Sequence, residues 1–168
     1  MSYSDVTAPK FSPEAKKEFD ELCSRYPNKM APLLMVLHLA EKEFGYLSIE
    51  VQEYVANLLE LSPAHVQGVC TFYTMYKLEK KGKIRIQYCA TLSCAIMGGE
   101  KVFDHICSKI GVSRKGGMSE DELVSVEKVE CLGACDIGPM MLANDETHGN
   151  LTPEKFDALY EKWKSKNA

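Results

Sequence analysis

Two short stretches carry most of the chemistry open to this sequence. In "YCATLSCAIMGGE" Cys89 and Cys94 stand five positions apart. In "VEKVECLGACDIGPMML" Cys131 and Cys135 are separated by Leu-Gly-Ala and followed at once by Asp136. Thiolates are soft ligands, suited to zinc, copper(I) and iron–sulfur centres. The residues inside each pair are small or backbone-permissive: Thr-Leu-Ser before Cys94 and Leu-Gly-Ala before Cys135. Gly133, with Gly98 and Gly99 after the first pair, lets the chain turn so that backbone N–H groups can face gathered sulfurs and offset their negative charge.

The spacing is informative without being decisive. C-x4-C and C-x3-C match neither the C-x2-C pairs of zinc ribbons nor the bacterial and plant-type ferredoxin runs. Three readings stay open on spacing alone: an iron–sulfur cluster, a structural zinc, and cysteines that bind nothing. A dithiol oxidoreductase would ask for C-x-x-C, which is missing.

The elements around the pairs fall into two halves. The first, residues 1–80, reads as a helical bundle. "FSPEAKKEFDELCSRYP" starts with Ser12 as N-cap and Pro13 at the first helical position, with Ala15, Phe19, Leu22 and Tyr26 on one face. A second helix is expected from Pro32 to Phe44, stopped by Gly45. A third carries Ile49, Val51, Val55, Leu58 and Leu59. A fourth repeats the Ser-Pro start at Ser62 and Pro63.

The basic, glycine-containing segment 77–83 marks the boundary, and beyond it the period changes. "KIRIQYC" alternates as a strand that delivers Cys89. "GGEKVFDHICSKIG" is an amphipathic helix. "ELVSVEKVEC" is a second strand that delivers Cys131, and "PMMLAN" a third, turned back by "NDETHGN". "LTPEKFDALYEKWK" is a last helix, capped by Thr152. The order β-α-β-β-α over residues 81–168 is a thioredoxin-like arrangement, so the fold class is α+β: a helical bundle followed by a small sheet domain. Both cysteine pairs then follow strands, where loops leave a sheet edge.

Bulk properties narrow the alternatives. The chain has 168 residues, 45% hydrophobic and 26% charged, with a formal net charge of −4. That balance belongs to folded globular proteins and gives no electrostatic footprint for nucleic acid or anionic membrane. The most apolar run, residues 30–40, is shorter than the roughly 20 residues a bilayer span needs. No export or transit pattern opens the chain, which favours reduced thiols over structural disulfides. Cys23, Cys70 and Cys107 read as core residues. His38 reads as a packed or interface histidine, and His65, His105 and His148 have no partner at metal-ligand spacing.

"GVCTFYTMYKL", "IRIQYCATLSC", "VECLGACDIGPMML" and "NLTPEKFDAL" together resemble the small [2Fe–2S] subunit, of the 24-kDa type, of NADH:quinone oxidoreductase (respiratory complex I). Related subunits occur in NAD(P)-linked hydrogenases and formate dehydrogenases. The similarity runs from the first Ser-Pro helix to the last Thr-Pro helix. It implies one [2Fe–2S] cluster bound by Cys89, Cys94, Cys131 and Cys135. It also implies that FMN and NADH sit on a larger partner subunit, with this chain an electron-transfer component inactive alone. Ser93 and Met97 depart from the proline and arginine frequent in the family. Neither is a ligand position, so the departures bear on potential and partner contact.

The resemblance further implies a cytoplasmic protein, held peripherally to a membrane through its complex (matrix side if mitochondrial), with no nucleic acid and no direct membrane contact. The helical half would be the docking element, with "CTFYTMY" a dense aromatic stretch suited to an interface or a core. Glu130 and Asp136, flanking two of the ligands, are expected to lower the cluster's potential. The alternatives are the equivalent subunit of an NAD(P)-linked hydrogenase or formate dehydrogenase and, from other classes, a free-standing ferredoxin and a zinc-stabilised interaction module.

Overall fold

A computed structural model describes residues 8–167. The chain divides into two compact units on either side of the Lys80–Lys81 bond.

The first unit is helical. Its helices are α1 (Pro13–Ser24), α2 (Leu33–Phe44), α3 (Ile49–Leu59) and α4 (Pro63–Phe72). Ser12 caps α1 and Ser48 caps α3, each accepting from the N–H three residues on. Such caps satisfy donors that the first helical turn leaves orphaned. The core gathers Phe11, Phe19, Val36, Leu37, Ala40, Leu47, Val55, Leu59 and Val66. Phe11 is held by ring contacts to Phe44 and Tyr54 and by its N–H, which donates to the Tyr54 hydroxyl at 3.0 Å. Two expectations need adjusting. α1 ends at Ser24, so Tyr26 lies beyond it and is exposed, and Ile49, first residue of α3, points to solvent.

The second unit is built on a five-stranded sheet in the order β2-β3-β1-β4-β5: β1 (Ile84–Cys89), β2 (Gly117–Met118), β3 (Val124–Val129), β4 (Met141–Ala143) and β5 (Glu146–His148). Central β1 pairs parallel with β3 and antiparallel with β4. The parallel pair needs a crossover, supplied by α5 (Leu92–Ile96) and α6 (Gly99–Ile110). Ile86 and Tyr88 of β1 and Val124 and Val126 of β3 share a core with Phe103 and Ile106 of α6. Phe156, Tyr160 and Trp163 of α7 (Pro153–Asn167) complete it.

The unit is thus α+β as expected, with three additions. The two-residue β2 is too short to show a period. β5 is the returning arm of the hairpin that begins with β4, and it ends before Gly149. The short helix α5 carries Cys94, where the sequence pattern suggests a wrapping loop; five residues are below the length at which a helical period is legible.

Candidate metal centre

The sheet register decides where the two cysteine pairs go. β1 and β3 run parallel and end level, with Cys89 opposite Val129. Both chains therefore leave the sheet at the same edge. The Ala90 N–H donates to the Val129 carbonyl at 3.0 Å, keeping them together one residue further.

From β1 the chain turns at Thr91 into α5, which points Cys94 inward and leaves Leu92 and Ile96 exposed. Cys94 is held there by the next turn. Gly99 packs so tightly on it that an added Cβ would stand 2.6 Å from the Cys94 carbonyl oxygen. The Tyr88 hydroxyl donates to the Gly99 carbonyl at 2.8 Å, fixing the start of α6 to β1. From β3 the second loop runs through Cys131 and Gly133 (φ 78°) into the 3-10 turn Cys135–Ile137. It then passes the cis Gly138–Pro139 peptide and returns as β4 beside β1.

Cys89 (2% exposed) and Cys94 (1%) form a small buried cluster with Met140, against which Leu132 and Ala134 of the second loop pack. Burial pushes the Cys89 thiol up. Hydrogen bonds from the Thr91 hydroxyl and N–H, the Leu132 N–H and the Cys94 thiol outweigh it, and Cys89 lies below the ordinary thiol range. Cys94 is raised: burial leads, its thiol donates to Cys89, and Cys89 and Cys135 add like charge, while the Met140 N–H works the other way. Gly138 borders both loops, since a Cβ there would be 3.5 Å from the Cys94 sulfur and 3.4 Å from the Cys135 carbonyl oxygen. Cys131 and Cys135 are exposed. The Gly133 N–H donates to the Cys131 sulfur at 3.4 Å.

The structure thus brings Cys89 and Cys94 into contact, with Cys135 near enough to act on Cys94, and places Cys131 at the solvent rim of the same edge. Among the described residues no group of three or more His, Cys, Asp or Glu is already arranged around a metal ion's position. The donor set suits a soft centre: thiols alone, met by the N–H groups of Thr91, Leu132, Gly133 and Met140.

Cys70 and Cys107 are buried in the two cores, and Cys23 is half-buried at the edge of the first. Three features at the centre have no clear sequence signal. The Met140 N–H reaches the Cys94 sulfur only through the tertiary path of the chain, and the Thr91 hydroxyl reaches the nearby Cys89 sulfur through the conformation of one short turn. The Gly-Pro pair in "DIGPMML" is visible in the sequence, but its part is spatial; its glycine leaves the space that the Met97 thioether and the Cys94 sulfur both border.

The family description "Thioredoxin-like [2Fe-2S] ferredoxin" matches residues 19–164. The E 2 subunit of the NADH-quinone oxidoreductase of Rhizobium meliloti (strain 1021) is 35% identical over 150 residues, covering 89% of this chain and 89% of that one. NADH-quinone oxidoreductase subunit 2 of Thermus thermophilus is 36% identical over 148 residues, covering 86% and 81%. The corresponding NADH-quinone oxidoreductase protein of Mycobacterium tuberculosis is 35% identical, but this chain spans only 60% of its length. In three dimensions the chain is similar to a crystal structure of an NAD+-reducing [NiFe]-hydrogenase in the air-oxidised state. The TM-score is 0.68 and the identity 21%, over 80% of this chain and 23% of that one. This second likeness is one of fold.

Proposed function

The chain belongs to the thioredoxin-like [2Fe–2S] ferredoxin family, and on that premise we propose that it is the small electron-transfer subunit of an NADH:quinone oxidoreductase. Cys89, Cys94, Cys131 and Cys135 hold one [2Fe–2S] cluster. When bound, such a cluster takes up and returns one electron at a time and makes or breaks no substrate bond. The chain's own residues set the conditions. Met140, Leu132 and Ala134 keep water from the inner pair. The N–H groups of Thr91, Leu132, Gly133 and Met140 offset the sulfur charge.

The observation that carries this reading is the level, parallel ending of β1 and β3, which sends both cysteine pairs to one sheet edge. The assembly is proposed from the relatives, two of which are named subunits of NADH-quinone oxidoreductase over more than four-fifths of both chains. NADH and FMN bind a larger partner subunit in this reading. The two glycines at Gly98 and Gly99 are occupied in starting α6 and do not make a G-x-G-x-x-G fingerprint.

The helical unit is the docking element, a role supported by the exposed ring of Phe72 at 76%, since aromatic residues are enriched at interfaces. Attachment to a membrane comes through other subunits; among the described residues no helix is long and apolar enough to cross one. The test is to isolate the chain with whatever binds it under anaerobic conditions, assay iron and sulfide, and identify the partner. A partner carrying FMN beside a red-brown, reducible chain supports the reading. A colourless chain holding zinc overturns it.

A further inference from the structure

We propose that the Thr91 hydroxyl is a fixed hydrogen-bond donor to the Cys89 sulfur and that it sets how readily the centre takes an electron; this rests on reading Cys89 as a cluster ligand. The Thr91 Oγ1 stands 3.1 Å from the Cys89 Sγ. Thr91 is also the N-cap of α5, where a threonine hydroxyl ordinarily accepts from the backbone one turn on. Ser12, Ser48 and Thr152 do this in the same chain, accepting from the N–H groups of Ala15, Val51 and Lys155. Thr91 makes no such cap bond, and its hydroxyl is turned to the thiol instead.

A sulfur bound to metal has lost its proton, so in this pair only the hydroxyl can donate. Cys89 is 2% exposed, so water has little access to replace that donor. Adding an electron raises the negative charge shared by the ligand sulfurs. A hydrogen bond to a more charged acceptor is stronger, so the hydroxyl favours the reduced state over the oxidised one. Thr91 is thus a positioning residue that acts on the centre through Cys89.

The test compares Thr91→Val, which keeps the branched shape and removes the hydroxyl, with Thr91→Ser, which keeps the hydroxyl. Each protein is reconstituted anaerobically, its iron and visible spectrum are checked, and its midpoint potential is titrated. Thr91→Val is expected to lower the equilibrium constant for one-electron reduction about tenfold, which is about 59 mV for a one-electron couple. Thr91→Ser should stay at the wild-type potential, a rescue that helix capping alone would not produce in a midpoint. A loaded Thr91→Val protein with the wild-type midpoint overturns the proposal. Should Thr91→Val fail to take up iron, Thr91→Ala supplies the same comparison. A wild-type chain that binds no iron overturns the ligand assignment and this inference together, whereas an unmoved midpoint in a loaded variant overturns this inference alone.

Discussion

Cys89 stands directly opposite Val129 across two parallel strands that end level. This register places the Cys89–Cys94 turn and the Cys131–Cys135 turn at one edge of the sheet. A slip of one residue would swing Cys89 to the opposite face, away from Met140, Leu132 and Ala134. The proposed metal centre therefore depends on β-pairing set by residues 84–89 and 124–129.

The ligand assignment predicts a sharp split among the seven cysteines. Replacing Cys89, Cys94, Cys131 or Cys135 by alanine should lose most of the bound iron and the paramagnetic signal of the reduced protein. Cys107→Ala removes a buried thiol from the core beneath α6. It should keep the iron and cost roughly 1 kcal/mol of stability. Iron assays on these variants check this.

Asp136 is exposed and directly follows a proposed ligand. A fixed negative charge there opposes the addition of an electron, and Asp136→Asn should raise the midpoint potential. The effect should shrink with added salt, because an exposed charge is screened. Redox titrations at low and high ionic strength measure both.

Gly99 tests whether the packing beneath Cys94 matters. Its missing Cβ would fall 2.6 Å from the Cys94 carbonyl oxygen, a backbone atom with no room to retreat. Gly99→Ala should cost about 2–3 kcal/mol and weaken iron retention. At Gly45 nothing lies within 4 Å, and only its φ of 84° opposes a side chain. Gly45→Ala should cost about 1 kcal/mol and leave the iron untouched. Urea unfolding and iron content distinguish the two.

Glu127 of β3 pairs with Lys81 at 2.8 Å and with the Arg85 Nε at 2.8 Å. Burial pushes its carboxyl up, but the hydrogen bonds and charges of Lys81 and Arg85 prevail and hold it below the usual carboxylate range. A depressed folded-state value stabilises above the unfolded value of about 4.3, and that contribution is lost as pH falls through the folded one. Glu127→Gln should therefore destabilise the protein by about 2 kcal/mol at pH 7. The gap to wild type should close as pH drops below about 4. Denaturant midpoints at neutral pH and at two acid points on either side of the folded value give the comparison.

Much of this is legible in the sequence because the signals are local. Ser-Pro starts mark α1 and α4, and a terminal glycine marks the end of α6. Alternation marks β1 and β3, and small residues mark the turns that carry the cysteines. What stays hidden is non-local or too short to have a period. β2 has two residues and α5 has five, so Cys94 looks like a loop residue. Tyr26 continues the apolar spacing of α1 past the point where the helix ends. The N–H of Met140 and the hollow at Gly138 act at the centre only because β4 returns beside β1. The Thr91 hydroxyl lies two residues from Cys89, but the turn that aims it at the sulfur has no period to read.

The central claim is that the four thiols at 89, 94, 131 and 135 converge on one two-iron core. Anaerobically prepared wild-type chain should contain about two iron and two acid-labile sulfide per chain. Reduced with dithionite, it should give the electron paramagnetic signal of a single unpaired electron, integrating to about one spin per chain. Preparations that hold zinc in place of iron, or that stay silent after reduction with iron at about one atom or fewer per chain, would contradict the account.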